Sequence, residues 1–144
     1  MRKLLFICLL YVPMALCAQD WKENYQEAIT MAQKEDKPII LVFSGSDWCA
    51  PCIKLDRDIW QSDEFKSYAK QNYVLYRADF PRKKENKLKE QLVEKNKELA
   101  DRYNPKGYFP LVLVLDKNGK KLGEMGYQKT TPNGYITLLN SYGK

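Results

Sequence analysis

The sequence predicts an α/β domain with a mixed four-stranded central sheet flanked by helices. Three observations carry that expectation. Beyond residue 18, helical and strand-like patterns alternate in the order α-β-α-β-α-β-β-α. Ile39 to Phe43 and Leu111 to Leu115 are short, continuously apolar runs, typical of strands covered on both faces. Asp116-Lys117-Asn118-Gly119 is a tight-turn sequence, so the strands on either side of it should form an antiparallel hairpin.

The first segment falls outside the fold argument. Met1-Arg2-Lys3 is a short basic start, and residues 4–16 are almost wholly apolar, interrupted by Tyr11 and Pro13. That run is too short for a comfortable membrane span, and polar sequence begins at Gln19-Asp20. Residues 1–18 are expected to be a secretory signal peptide cleaved after Ala18, with residues 19–144 forming one domain exported to a bacterial periplasm. Cys17 leaves lipid attachment as an alternative, with Leu16 standing where a lipobox carries a small residue.

Asp20 is expected to cap a helix reaching about Lys34, with Trp21, Tyr25, Ala28, Ile29 and Ala32 on one face. Glu35 to Pro38 breaks it, and the first strand and the Ser44–Asp47 loop follow. A helix starts at about Cys49 and carries Ile53, Leu55 and Ile59; Ser62 caps a second with Phe65, Tyr68 and Ala69. Tyr73 to Asp79 reads as a strand, Pro81 to Lys84 as a connector, and Glu85 to Tyr103 as a long helix with Leu88, Leu92, Leu99, Ala100 and Tyr103 near one face. Asn104-Pro105-Lys106-Gly107 stops that helix. After the hairpin, whose second strand spans about Lys121 to Tyr127, Thr131-Pro132 opens a last helix burying Tyr135, Ile136, Leu138, Leu139 and Tyr142. The early βαβ crossover should be right-handed and pair its strands in parallel.

Composition narrows the chemistry. The chain has 144 residues and a net charge of +6; without residues 1–18 about 126 residues and a charge of about +4 remain, enough for one domain with a real core. The basic cluster Arg82-Lys83-Lys84 is followed by Glu85, Glu90, Glu94 and Glu98, which describes a solvated helix face rather than a nucleic-acid surface. There is no histidine, which excludes Cys-His nucleophile pairs and zinc sites that use His. Ile53 follows Cys52, so the haem-attachment pattern fails, and no phosphate loop or dinucleotide glycine pattern occurs. No cofactor is expected.

The chemistry-bearing stretch is Trp48-Cys49-Ala50-Pro51-Cys52. Of the four cysteines, Cys8 and Cys17 lie in the leader, which leaves Cys49 and Cys52 alone in the mature chain. A pair so close closes a tiny loop, which stabilises a fold little compared with a long one, and its placement at a helix start suits reversible disulfide exchange. Free N–H groups there favour a thiolate on Cys49, the expected exposed nucleophile, while Cys52, about one turn deeper, is the expected resolving thiol. Pro51 removes a backbone N–H near the thiolate, so the pair is expected to reduce or isomerise disulfides rather than act as a dedicated oxidant. Trp48 can offer a substrate an apolar contact or serve as a packed surface aromatic.

These residues resemble the thioredoxin superfamily over essentially the whole of residues 19–144. The markers are a strand followed by Trp48-Cys49-Ala50-Pro51-Cys52, then Phe109-Pro110 before a strand, the hairpin with Gly119, Gly126 and a closing helix. The approach Ser46-Asp47-Trp48-Cys49 is more similar to exported thioredoxin-like proteins, and to the C-terminal domain of thiol:disulfide interchange proteins, than to cytosolic thioredoxin. The resemblance implies the thioredoxin fold and a thiol–disulfide oxidoreductase. It also implies a cis bond before Pro110 that turns the backbone of Phe109 toward the dithiol, making Trp48, Phe109 and Pro110 the substrate-binding residues. Implied partners are protein or peptide disulfides and a membrane or soluble electron donor, with the protein acting as a monomer. One departure stands out. Cytosolic thioredoxins carry a buried Asp six residues before the first cysteine, with a Lys partner on the next strand; Phe43 occupies the first position here, and Leu75 lies near the second. Asp47 and Asp79 are the candidate replacements. Two other functions remain open, a non-enzymatic peptide-binding module and a Cu(I)-handling dithiol protein in which Met125 is the best third ligand.

Overall fold

A computed structural model describes residues 19–143, so the signal-peptide expectation, with Cys8 and Cys17, lies outside the described residues. Four strands form one mixed sheet in the order β2-β1-β3-β4. β1 (Ile39–Ser44) is central and fully buried, as its unbroken apolar run requires. β2 (Val74–Asp79) runs parallel to it, with Phe43 opposite Ala78 and Ser44 opposite Asp79. On the other side β3 (Leu111–Leu115) is antiparallel and places Leu111 opposite Phe43. The Asp116–Gly119 turn then returns the chain as β4 (Lys121–Met125), which stops two residues short of the expected Tyr127.

Alternation along the strands divides the core. Ile40 and Val42 of β1 point into a layer with Trp60, Phe65, Tyr73 and Tyr135. Ile39, Leu41 and Phe43 point into the opposite layer with Ala28, Ala32, Tyr76, Leu99 and Tyr103. Helices α1 (Tyr25–Glu35) and α4 (Glu90–Tyr103) cover the second layer. The first is covered by α2 (Ala50–Leu55), α3 (Asp63–Asn72) and α5 (Pro132–Ser141). Ser62 and Thr131 cap α3 and α5 as the sequence suggests.

Several boundaries differ from expectation, each for a local reason. α1 is capped by Asn24 rather than Asp20, its side chain accepting the Glu27 N–H at 2.9 Å. Trp21 lies outside that helix: the chain there bridges to Leu75, and the Lys22 N–H donates to the Leu75 carbonyl at 2.9 Å. α2 does not continue as a regular helix but widens into a π turn, Asp56–Trp60, that sets Ile59 and Trp60 in the core. α4 begins at Glu90, not Glu85, because the preceding residues fold into a separate 3-10 turn, Lys84–Asn86. On α5, Leu138 was expected in the core but is 40% exposed, whereas Tyr142 is half-buried over Gly123.

This topology sets where chemistry can occur. The C-terminal ends of parallel β1 and β2 and the N-terminal end of antiparallel β3 share one edge of the sheet. Residues 45–49, the connection from residue 80, and Phe109-Pro110 therefore emerge side by side. A ligand crevice outside the carboxyl ends of parallel strands is a general property of such sheets.

Candidate active site

Cys49 and Cys52 form a disulfide. Cys49 occupies the N-cap of α2, and its Sγ accepts the Cys52 backbone N–H at 3.3 Å. Ala50 and Pro51 fill the first two helical positions, so Pro51 stands where its missing N–H leaves no helical bond unmade. The N–H that reaches the sulfur is thus the one at the third position, supplied by the partner cysteine. Cys49 is 5% exposed and Cys52 3%, so the expected contrast between an exposed and a buried thiol is absent in the oxidised state. The bond draws the Cys49 sulfur over the helix start against Cys52.

Trp48 is fixed from three sides. Its indole N–H donates to the Phe80 carbonyl at 2.7 Å. Arg82 lies 3.8 Å above the ring, close enough for a cation–π contact. On another side the ring meets Phe109 edge-on at 5.5 Å, and Phe109 also meets Phe80 at 5.5 Å. The indole further packs over Gly45, where an added Cβ would fall 2.3 Å from the ring. Trp48 is therefore the joint between the dithiol loop, the residue-80 connection and Phe109. The Phe109–Pro110 peptide is cis, Pro110 is buried and Phe109 half-buried. Tyr108 beside them is 56% exposed, and Ile53 just past the dithiol 47% exposed.

The two acids proposed to replace the missing buried Asp are both engaged elsewhere. Asp47 accepts the Arg82 and Lys83 backbone N–H groups, each at 2.9 Å, and the Asn86 amide at 3.0 Å. Those bonds, the Arg82 one foremost, hold its carboxyl below the ordinary carboxylate range. Asp79 accepts the Ser46 N–H at 2.9 Å and the Ser46 hydroxyl at 2.5 Å, clamping the loop before the dithiol to the end of β2. Phe43 is fully buried and stacks on Phe80. Behind it, the Tyr76 hydroxyl donates to Asn96, whose amide donates to the Asp79 carbonyl at 3.1 Å, and burial pushes the Tyr76 phenol up to about 12. Among the described residues, no group of three His, Cys, Asp or Glu side chains gathers at a metal-binding spacing, and Met125 packs in the core layer with Val112 and Tyr135.

Arg82, Phe80, Gly45 and the Ser46–Asp79 clamp are the site features that sequence reasoning missed. Only the last had a legible signal: an acid closing β2 opposite the loop that leaves β1.

The thioredoxin-like family matches residues 20–117. The chain belongs to the thioredoxin-like family. It is 38% identical over 129 residues to the disulfide bond reductase DsbH of Chlamydia pneumoniae, an alignment covering 90% of this chain and 75% of that protein. A solved DsbH oxidoreductase superposes with a TM-score of 0.81 at 34% identity, covering 95% of this chain and 92% of that one. The C-terminal domain of Neisseria meningitidis DsbD, 16% identical, shares the fold with a TM-score of 0.58 over 81% of this chain and 90% of that domain. A dithiol at a helix start on a thioredoxin-like scaffold makes this chain a thiol–disulfide oxidoreductase.

Proposed function

We propose that this protein reduces or isomerises disulfides in polypeptides of an exported compartment, with Cys49 as nucleophile and Cys52 as resolving thiol. The observation that carries the assignment of roles is the hydrogen bond from the Cys52 N–H to Cys49 Sγ, which stabilises negative charge on that one sulfur. The similarity to a protein named a disulfide bond reductase supports the reducing direction.

In the reaction the Cys49 thiolate attacks one sulfur of a substrate disulfide. A Cys49–substrate bond forms, the substrate bond breaks, and the released thiolate takes a proton. Cys52, deprotonated, then attacks Cys49 Sγ and expels the second substrate thiol. The substrate gains two electrons and two protons, and the protein is left as the Cys49–Cys52 disulfide. Return to the dithiol needs two electrons from another dithiol protein, soluble or membrane-held. Trp48 adjoins Cys49 in sequence and meets the Phe109 ring, which supports Trp48, Phe109 and Pro110 as the surface for the substrate chain, and a single chain carries all these groups. Phe43 places an apolar ring where a buried proton acceptor would stand, so the Cys52 proton leaves to solvent or to the departing thiolate.

The test is covalent capture. Cys52→Ser should accumulate a Cys49–substrate mixed disulfide in exported extracts, released by dithiothreitol, whereas Cys49→Ser should not. Absence of adducts would remove the assignment of roles. The reduction potential decides direction: a value near that of thioredoxin, about −270 mV, fits reduction, and one near −120 mV fits oxidation.

A further inference from the structure

The connection from β2 to α4 shapes a cavity of about 240 Å³, lined in part by Phe80 and Arg82, which hold Trp48. Phe80, Leu88 and Val93 give it an apolar floor, and Lys83, Lys84 and Lys87 stand around it, all three exposed. None of these lysines makes an ion pair among the described residues. Two carboxylates lie close by: Asp79 in the lining accepts the Ser46 N–H and hydroxyl, and Asp47 at the rim attracts Lys83. The rim is also held in place relative to the chemistry. Asp47, two residues before Cys49, grips the Arg82 and Lys83 amides and the Asn86 side chain. The sequence places Pro81–Lys84 in a connector and starts a helix at Glu85; the structure extends the connector to Lys89 as a pinned loop whose lysines line an apolar hollow.

We infer that this cavity is a substrate subsite selecting disulfide-bearing polypeptides that carry acidic residues beside an apolar side chain near the reacting cysteine. The inference rests on the reductase reading above and adds the substrate class to it. Charge complementarity names the occupant: Lys84 and Lys87, with Lys83 shared between the cavity and Asp47, stand around an apolar floor and match an acidic segment with one apolar anchor. A basic segment would be repelled, and a second copy of this chain would bring the same net positive charge. Complementary charge acts chiefly on encounter and orientation, and salt screens it.

The experiment compares two disulfide-linked reporter peptides that share one apolar residue and differ in Glu or Lys flanks. The wild-type protein should reduce the acidic peptide with a kcat/KM about tenfold higher, as three favourable surface pairs allow. That ratio should fall toward one at high salt and in a Lys83→Ala/Lys84→Ala/Lys87→Ala variant. Because the readout is a ratio on one protein preparation, partial misfolding of the variant does not imitate it. Equal rates with the wild type, or a preference that survives the triple substitution, would overturn the subsite. Failure to reduce either peptide would instead count against the reductase reading. In that event anisotropy titrations of cysteine-free versions of both peptides against the oxidised protein decide the subsite, tenfold tighter acidic binding supporting it and equal binding overturning it. Phosphatidylglycerol vesicles that sediment the wild type but not the triple variant, with the peptide ratio unchanged, would assign the patch to a membrane surface and overturn it as well.

Discussion

At the residue scale, Gly45 and Trp48 form a unit that the motif alone does not describe. The indole packs where a Cβ at residue 45 would lie, and its N–H and its face are engaged by Phe80 and Arg82. Gly45→Ala must therefore displace the ring, break its bond to the Phe80 carbonyl, and open its contact with Phe109. The cysteines themselves are untouched, so the intrinsic exchange of the dithiol with dithiothreitol should stay close to the wild-type rate. Insulin reduction should fall about tenfold, equivalent to ~1.4 kcal/mol of lost transition-state orientation. Tryptophan emission should shift as the ring leaves its pocket. Wild-type insulin reduction together with an unchanged emission spectrum would show that residue 45 does not position the ring. The same scale explains why Phe43 was readable as a departure but not as a replacement. The sequence shows an acid missing; only the packing shows that the ring stacks on Phe80 and that neither nearby Asp is free to substitute for it.

At the element scale, Asp47 acts as a cap for a loop distant in sequence. Its three acceptor bonds organise residues 82–86, which is why the helix read from Glu85 starts only at Glu90. No local pattern could announce this, because the organising residue lies 35 positions upstream of Arg82. By contrast, the start of α1 was legible and was misread. Asn24-Tyr25-Gln26-Glu27 carries the cap followed three residues later by Glu that marks a helix N-terminus, and Asp20 drew the boundary too early. The strands and their hairpin were read nearly to the residue, since unbroken apolar runs and a turn sequence are local signals. A prediction follows from the depressed Asp47 titration. A carboxylate whose folded value lies below its unfolded one stabilises its contacts above the unfolded value, and loses them as pH falls through the folded value. The Arg82 and Lys83 amide resonances should thus hold from neutral pH down to about pH 4 and move only below the ordinary carboxylate value of 3.8. In Asp47→Ala they should already be displaced at neutral pH, and these amides should exchange at least about tenfold faster. Wild-type shifts and protection in that variant would show that the loop is held by other means.

At the scale of the whole molecule, two buried layers on either side of a central sheet hold the fold, and the Cys49–Cys52 disulfide adds to them. Trp60 alone meets Phe65 at 4.7 Å, Tyr135 at 5.3 Å and Trp21 at 6.1 Å, so the layer under the active site is closed by aromatic packing from four segments of the chain. The Cys49–Cys52 bond spans a sequence separation of only three. Loop-closure entropy for so short a ring stabilises the oxidised form by about 2 kcal/mol relative to the dithiol. Folding and redox chemistry are linked: whichever redox state folds more stably is the one the protein tends to keep. A strong oxidant is more stable reduced, since it readily gives up its disulfide, whereas a reductant is more stable oxidised. Urea unfolding of the oxidised protein, compared with the same protein in excess dithiothreitol, should therefore show the higher midpoint for the disulfide form, with little change in slope because the exposed surface is nearly the same. A reduced form more stable than the oxidised one would contradict the reducing direction while leaving the fold and the oxidoreductase chemistry intact. It would mean that the thiolate over the Cys52 N–H is stabilised more than ring closure stabilises the bond.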